Sequence, residues 1–524
     1  MDQDIESIQF KRKNRNALVL MGILSFCFGM LITKELALPP ILLYGVAAIL
    51  GTYLLVQGMN HPEFITYFLV VYLPYSKVLV GDFGGIVQAF NLTNILMLFI
   101  IIVWFSGRYS EDEPIWLKTP LNLPIGLFVF LGFIAVVRGT SYGGGYLHYA
   151  IIEFKRWITP IMMYYLVLNT VKKRFMIKNI VIIMIMTTTI VGLMAIYDYI
   201  NLGDVGSMEK ARIGGISDQS NTLAAFFVYY MFLPLGFFLM NMQKKKAWWL
   251  LLPFLIMFRG IMVTFSRGGY VACAVGLYAI TFVRSRGLFA LLIVASIFAV
   301  FNPWILPGGI RDRMAQTLEH KSSSASSGSL MGEEGEPHLE ASAQSRLDIW
   351  KAALQLIKEN PIFGVGYGLF PIRIREIWKG GIEIDAHNTY VILATEQGIP
   401  CVIIFLIIVF MSIGYSWHLF LATQEPFTKA FSLGVIGGLF GLLAANMFGS
   451  RLNHEEVASY FWIILALVMR LTILEKKEPY QPGGITEEKP RRIRGAKLDS
   501  VWFDDEPEAQ TGEEAPPTEG PEPV

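Results

Sequence analysis

The stretch DAHNTYVILATEQGIPCVIIFLIIVFMSIGY, residues 385–415, decides the fold. It opens on the polar residues Asp385, His387 and Asn388 and continues from Thr389 as an apolar run long enough to cross a bilayer core of about 30 Å. A run of this kind satisfies its backbone groups within itself, so it predicts a membrane helix. Its polar edge is where a membrane enzyme would do chemistry. Histidine exchanges protons near neutrality, which makes His387 a candidate acid or base, although an interfacial histidine anchoring a helix end is an equally open reading of position alone.

Composition extends that reading to the whole chain. Of 524 residues, 54% are hydrophobic and only 16% charged, and the mean hydropathy is +0.49, unlike a soluble domain of this length. About fourteen runs of near-spanning length recur, at 17–33, 36–57, 62–80, 90–106, 121–138, 158–171, 177–200, 221–240, 247–265, 269–283, 287–302, 389–415, 428–448 and 457–474. Because the runs are continuous and not alternating, they predict an all-α polytopic bundle of about 12–14 transmembrane helices and exclude a β-barrel.

The formal net charge of +1 says little, whereas the positions of the basic residues give an orientation. Lys11, Arg12, Lys13 and Arg15 precede the first run, and counting spans from a cytoplasmic start puts Lys172-Lys173-Arg174, Lys244-Lys245-Lys246, Arg284 with Arg286, and Lys476-Lys477 on the same side. Both termini are then cytoplasmic, 17–302 and 389–474 hold the spans, and 303–388 is extracytoplasmic. No small-x-small cleavage site follows the first run, so it reads as a retained helix. Cys27, Cys273 and Cys401 lie within apolar runs and predict neither disulfides nor zinc.

The tail from 475 is basic at first, then acidic and Pro-rich, and reads as disordered. In the outer segment, the first half is Ser- and Glu-rich with low complexity. From Ser345 to Asn360, Leu347, Ile349, Trp350, Ala353, Leu354 and Ile357 recur at helical spacing opposite Arg346, Asp348, Lys351 and Lys358, which predicts an amphipathic helix at the membrane interface. Asn360-Pro361 ends it. The following Gly364-Val365-Gly366-Tyr367-Gly368 is read as a tight turn, since no strand precedes it as a nucleotide loop would need.

Positive charges on the outer side run against the orientation rule: Arg138, Lys155 and Arg156, Lys210 and Arg212, Arg267, and Arg451. Arginine presents a rigid fork of donors suited to phosphate oxygens, and several together would bind a diphosphate. Arg212 stands in ARIGGISDQSN (211–221), with Asp218 and Asn221, at the opening of a run. Arg267 stands in TFSRGGY (264–270), between two runs. Singly, each could equally be a lipid-phosphate anchor or a structural ion pair. Arg259 lies about two turns inside its run and needs a partner there, for which Asp198 is the candidate, with lining a polar cavity as the alternative.

The order of these motifs resembles the O-antigen ligase and O-antigen polymerase family of bacterial membrane glycosyltransferases: RIGG…DQSN opening one helix, FSRGG joining two, then Arg346…Trp350…Asn360-Pro361-Ile362-Phe363-Gly364-Val365-Gly366 leading to Asp385-Ala386-His387-Asn388, with Tyr390, Glu396, Gly398 and Ile399-Pro400 beyond. The resemblance covers roughly 205–415; family members usually carry about ten to twelve spans. It implies a glycan on undecaprenyl diphosphate as donor at the outer face of the inner membrane, and an acceptor glycan, lipid A core or protein. It implies no nucleotide sugar, metal or other cofactor, and no nucleic-acid partner. By the same resemblance Arg212 and Arg267 would hold the diphosphate and His387 would act at the acceptor hydroxyl. Arg156, Asp218, Asn221, Arg346, Asp385 and Asn388 are supporting candidates, with Asp385 or Asn388 orienting the imidazole or binding sugar hydroxyls. The competing classes are a flippase for lipid-linked glycans, which would need charges near the membrane midplane, and a non-catalytic scaffold of a secretion system.

Overall fold

The protein is described from a computed structural model. It covers residues 2–33, 62–79, 92–106, 116–203, 211–302, 341–378 and 385–477, with isolated positions 52, 56, 304, 311, 479 and 480. Apart from those positions, the run at 36–57, the outer segment before 341, Lys210 and the tail beyond 480 lie outside the described residues. Two units separate by contacts, Met1–Lys13 with Ile485–Val524, and Asn14–Gly484; of the first, only the helical backbone at 2–13 is described. The second unit is treated from here on.

Every regular element among the described residues is helical. In chain order they are α1 (Asp2–Ile32), α2 (Pro62–Tyr72), α3 (Leu92–Ser106), α4 (Asn122–Gly139), α5 (Tyr146–Thr170), α6 (Arg174–Asn201), α7 (Ser220–Tyr230), α8 (Phe232–Asn241), α9 (Leu251–Val263), α10 (Arg267–Arg284) and α11 (Arg286–Phe301). After these come α12 (Ala341–Glu359), α13 (Phe370–Ile377), α14 (Thr389–Gln397), α15 (Ile399–Ala422), α16 (Pro426–Ala445) and α17 (Glu455–Lys477). Among the described residues, eight helical stretches are long and apolar enough to cross a membrane, α7 with α8 counting as one, and α11 and Leu92–Ile102 are shorter apolar helices. The chain is an all-α, multi-pass membrane protein.

Helices α7, α8, α16 and α17 form the interior. Along α16, a Cβ on Gly434 would lie 2.6 Å from the Phe232 carbonyl and one on Gly438 2.5 Å from that of Tyr229, so glycine is what lets α16 reach backbone contact with α7 and α8. At the periphery, α11 has no buried residue and exposes Leu291, Val294, Phe298 and Phe301, while α15 exposes Ile403, Ile407 and Phe410. These outward apolar faces suit lipid contact, since a soluble chain would have to bury them.

Two sequence expectations change. The run 389–415 is two helices: Gly398 takes φ 90°, outside the range open to residues with a Cβ, and Ile399-Pro400 starts a new helix that runs on to Ala422. The amphipathic helix at 345–360 forms as α12, but its buried stripe is Ile349, Ala352, Ala353 and Leu356, packed with Phe370, Ile374 and Ala386, while Leu347 and Leu354 are exposed. Its apolar face thus serves as a platform under residue 386.

Candidate functional site

The candidate site begins at the start of α14. Asn388 is the N-cap, its side-chain oxygen accepting from the N–H of Tyr390 at 2.9 Å and of Val391 at 3.2 Å. That role commits its amide oxygen to the helix start. His387 has φ 47°, a left-handed conformation uncommon for residues with a Cβ and costly enough that its surroundings must impose it. The imposing contacts are visible. The Trp350 indole N–H donates to the Ala386 carbonyl at 2.7 Å, and Ala386 is buried on the α12 platform. The His387 N–H donates to Asp385 Oδ1 at 3.0 Å, and the Ser450 hydroxyl donates to the same oxygen at 3.0 Å.

The other oxygen, Asp385 Oδ2, lies 3.3 Å from His387 Nδ1, with the two side chains 42% and 37% exposed. A carboxylate on Nδ1 favours the tautomer that carries its proton there and leaves Nε2 with the lone pair of a base. The pair remains open enough for a substrate to reach.

Arg212 and Arg267 are brought to one turn. Arg212 Nε donates to the Thr264 carbonyl at 3.3 Å, and Nη2 donates to Asn221 Oδ1 at 2.8 Å at the start of α7. The Ile213 N–H donates to the Val263 carbonyl at 3.3 Å, which docks the segment carrying Arg212 onto the turn from α9 to α10. Arg267, half-buried, is the first residue of α10, whose N-cap Ser266 accepts from the Gly269 N–H at 3.3 Å. The Arg212 guanidinium, the residue Arg267 and the N-terminal ends of α7 and α10 therefore share one corner, an arrangement suited to an anion.

The remaining candidates divide. Arg346 is half-buried on α12, with its charge within reach of Arg451. Arg156 pairs with Glu153 of its own helix at 2.7 Å and lies within electrostatic reach of Glu455. Asp218 is 76% exposed and pairs with Lys77 at 3.3 Å, so it acts on the surface next to the corner. Arg259 does not pair with Asp198: it is exposed, with its guanidinium 5.5 Å from the Tyr199 ring centroid. That cation–π contact supplies the partner its position demanded.

What sequence reasoning missed is the loop from Asn446 to His454, between α16 and α17. The Thr389 hydroxyl donates to Asn446 Oδ1 at 2.6 Å and lies 2.8 Å from the Gly449 carbonyl, and the Thr389 N–H donates to the Asn446 carbonyl at 2.9 Å. Phe448 lies against Gly268, where a Cβ would come within 2.5 Å of its own Cβ. Ser450 holds Asp385. Arg451 is 4% exposed; its Nη1 donates to Thr222 Oγ1 at 2.6 Å and its backbone N–H to Thr389 Oγ1 at 3.2 Å. One short loop thus touches the starts of α7, α10 and α14 and the acid beside His387. The signal available was Arg451 itself, read only as one more outer charge.

The glycine-rich turn is a packing device. The N–H groups of Val365, Gly366 and Tyr367 donate to the carbonyls of Thr395, Glu396 and Ala135 at 2.8, 3.1 and 3.1 Å, so they are spent on the protein and cannot cradle a phosphate. The buried Glu396 carboxyl accepts from the Phe370 N–H at 3.1 Å, and burial pushes its pKa from 4.5 up to about 7 against the opposing pull of the Gly368 and Phe370 N–H bonds.

Residues 252–406 match the family described as O-Antigen ligase. No curated protein matches the chain. The matched region runs from α9 into α15, so it includes Arg267, Trp350, Asp385 and His387 and excludes Arg212 and the 446–454 loop.

Proposed function

We propose, from the match of residues 252–406 to the O-Antigen ligase family, that this chain transfers a glycan from undecaprenyl diphosphate to an acceptor hydroxyl at the outer face of the bacterial inner membrane. The family carries the coarser statement, a ligase- or polymerase-type glycosyltransferase of surface polysaccharide biosynthesis. The observation that supports the finer one is the Asp385–His387 pair at 3.3 Å, tied through the 446–454 loop to the corner of Arg212 and Arg267.

His387 Nε2 takes the proton of the acceptor hydroxyl as its oxygen bonds to the anomeric carbon. The bond from that carbon to the diphosphate breaks, the lipid diphosphate departs with its negative charge, and the proton stays on the imidazolium facing Asp385. Arg212, Arg267 and the helix ends stabilise the charge that develops on the leaving group. None of these steps requires a metal or a nucleotide.

Purified protein incubated with lipid-linked repeat units, with and without lipid A core, tests the proposal. A ladder without core identifies a polymerase, and transfer confined to core identifies a ligase. His387→Ala and Arg267→Ala should each reduce transfer by about 10²–10⁴-fold while the protein stays folded. Arg267→Lys should also be poor, since lysine keeps the charge but loses the fork. Undiminished transfer by the two alanine variants, or movement of intact lipid-linked glycan across proteoliposomes without any new linkage, would overturn this reading in favour of a scaffold or a flippase.

A further inference from the structure

Arg451 is the most deeply buried cation near the candidate site, and its environment is unusual. A guanidinium taken out of water costs several kcal/mol unless it is paired, yet among the described residues no carboxylate lies within ion-pair distance of it. Its Nη1 binds a hydroxyl, that of Thr222, and its Nε is buried with no hydrogen-bond partner. Tyr229 and then Asp385 favour its charge, and Arg346 opposes it. Stability alone gives no reason for a cation in such a position.

The side chain folds back beneath its own loop. A Cβ on Gly449 would overlap the guanidinium, so the loop admits Arg451 only because residue 449 is glycine. From there the residue reaches in two directions. Through Nη1 it holds Thr222, the neighbour of Asn221, which in turn binds Arg212 at 2.8 Å. Through its backbone N–H it holds Thr389, two residues from His387, and the preceding Ser450 holds Asp385 at 3.0 Å. One residue therefore bridges the arginine half of the site and the histidine half, which the chain supplies from segments more than 160 positions apart.

We propose that Arg451 is a positioning residue that fixes the Asp385–His387 pair in register with Arg212, so that the base and the departing diphosphate face the same anomeric carbon. This rests on the transfer reaction proposed above. Arg451 is 4% exposed, with Nε fully buried and Nη1 held by Thr222, which favours bracing over direct contact with the diphosphate. Misplacing reacting groups by about 1 Å costs on the order of 10²-fold in rate. Loss of the brace should therefore lower turnover and leave donor binding intact, because Arg212 keeps its own bonds to Asn221 and Thr264.

The test uses the purified full chain added to membranes of a deletion strain, which supply donor and acceptor together, and undecaprenyl diphosphate as the binding probe. Arg451→Lys, Arg451→Met and Gly449→Ala, the last displacing the guanidinium without removing its charge, should each lower kcat by about tenfold to hundredfold. Their affinity for undecaprenyl diphosphate should stay within about threefold of wild type. Thr222→Val should lower kcat in the same direction, and combined with Arg451→Met it should add little, the mark of two groups acting as one. If Arg451→Met fails to fold, Arg451→Lys, Gly449→Ala and Thr222→Val carry the test. Unchanged kcat in folded variants, or a loss of affinity matching the loss of rate, would overturn the proposal, the second result making Arg451 a direct ligand. His387→Ala and Arg267→Ala run alongside separate the two ideas: if they are inactive and the Arg451 series is unimpaired, only the bracing role fails, whereas activity in both removes the reaction on which it rests.

Discussion

At the end of the bundle where α6 begins, Arg174 donates to Glu425 at 2.8 Å and to Glu475 at 2.7 Å, Lys178 reaches Glu425 at 3.0 Å, and Thr428 and Thr423 donate to Glu425 and Glu475 at 2.5 and 2.7 Å. At the other end Arg451 is buried against a hydroxyl, with one nitrogen unpartnered, and His387 sits in a left-handed conformation. The Arg174, Lys178, Glu425 and Glu475 cluster at the first end neutralises its charges internally, donor for acceptor. The other holds cationic groups, helix N-termini and strain whose compensation must come from elsewhere. Buried charge paired in this way orders a fold, and buried charge held without a carboxylate, as at Arg451, marks a place where more than stability is at stake. Basic clusters such as Lys172-Lys173-Arg174 stand at the first end, in line with the two-sided distribution of charge along the chain.

The largest test of the contrast removes the carboxylate that faces the imidazole. Asp385→Asn keeps an oxygen for Ser450 and for the His387 N–H but no longer favours the proton on Nδ1. Transfer should fall roughly hundredfold with little change in melting temperature. An unaltered rate would leave Asp385 a loop-forming residue and His387 without its orienting partner. The opposite pattern is expected at the paired end. Glu425→Gln takes the carboxylate from Lys178 and leaves Arg174 its bond to Glu475, and because both cations are partly exposed the loss of stability should be about 1–2 kcal/mol, below that for a fully buried pair. Transfer per folded molecule should not change, and denaturant melts alongside rate measurements check both halves. A rate loss in this variant would mean that the two ends are coupled and the contrast is false.

The two ends were not equally legible in the sequence. His387, Arg212 and Arg267 stand in short polar segments between apolar runs, where their placement against the orientation rule singles them out. Asp385 and Asn388 were indistinguishable there because both are polar neighbours of the histidine; only the backbone assigns one to the imidazole and the other to the helix cap. Asp218, grouped with the arginines by proximity along the chain, turns out to Lys77 because its positive φ of 58° reverses the chain at that point. The contribution of Asn446, Ser450 and Arg451 left no periodic signal, since its partners lie 57 to 229 positions away. The division of 389–415 into two helices escaped for a related reason: hydropathy continues across Gly398, whereas the break depends on a dihedral angle.

The smallest effect separates two buried carboxyls of opposite sign. At Glu425 desolvation opposes the charge, but Lys178, the Thr428 hydroxyl and Arg174 outweigh it and hold the carboxyl below its ordinary value. Its stabilisation is present above the ordinary pKa and fades as pH falls through the depressed one. Glu396 behaves the other way. With its pKa near 7 against an ordinary 4.5, the folded chain keeps a proton that the unfolded chain has released, so its contribution is complete below pH 4.5 and is lost as pH rises through about 7. Glu396→Gln retains an acceptor oxygen for the Phe370 and Gly368 N–H groups and has no charge to bury. It should fold and transfer glycan, and its melting temperature should fall less than that of wild type as pH is raised across that window. Parallel curves would mean that Glu396 is ionised in the fold, stabilised there by its two backbone donors, and the glycine-rich turn would then be held by a charge and not by a neutral acid.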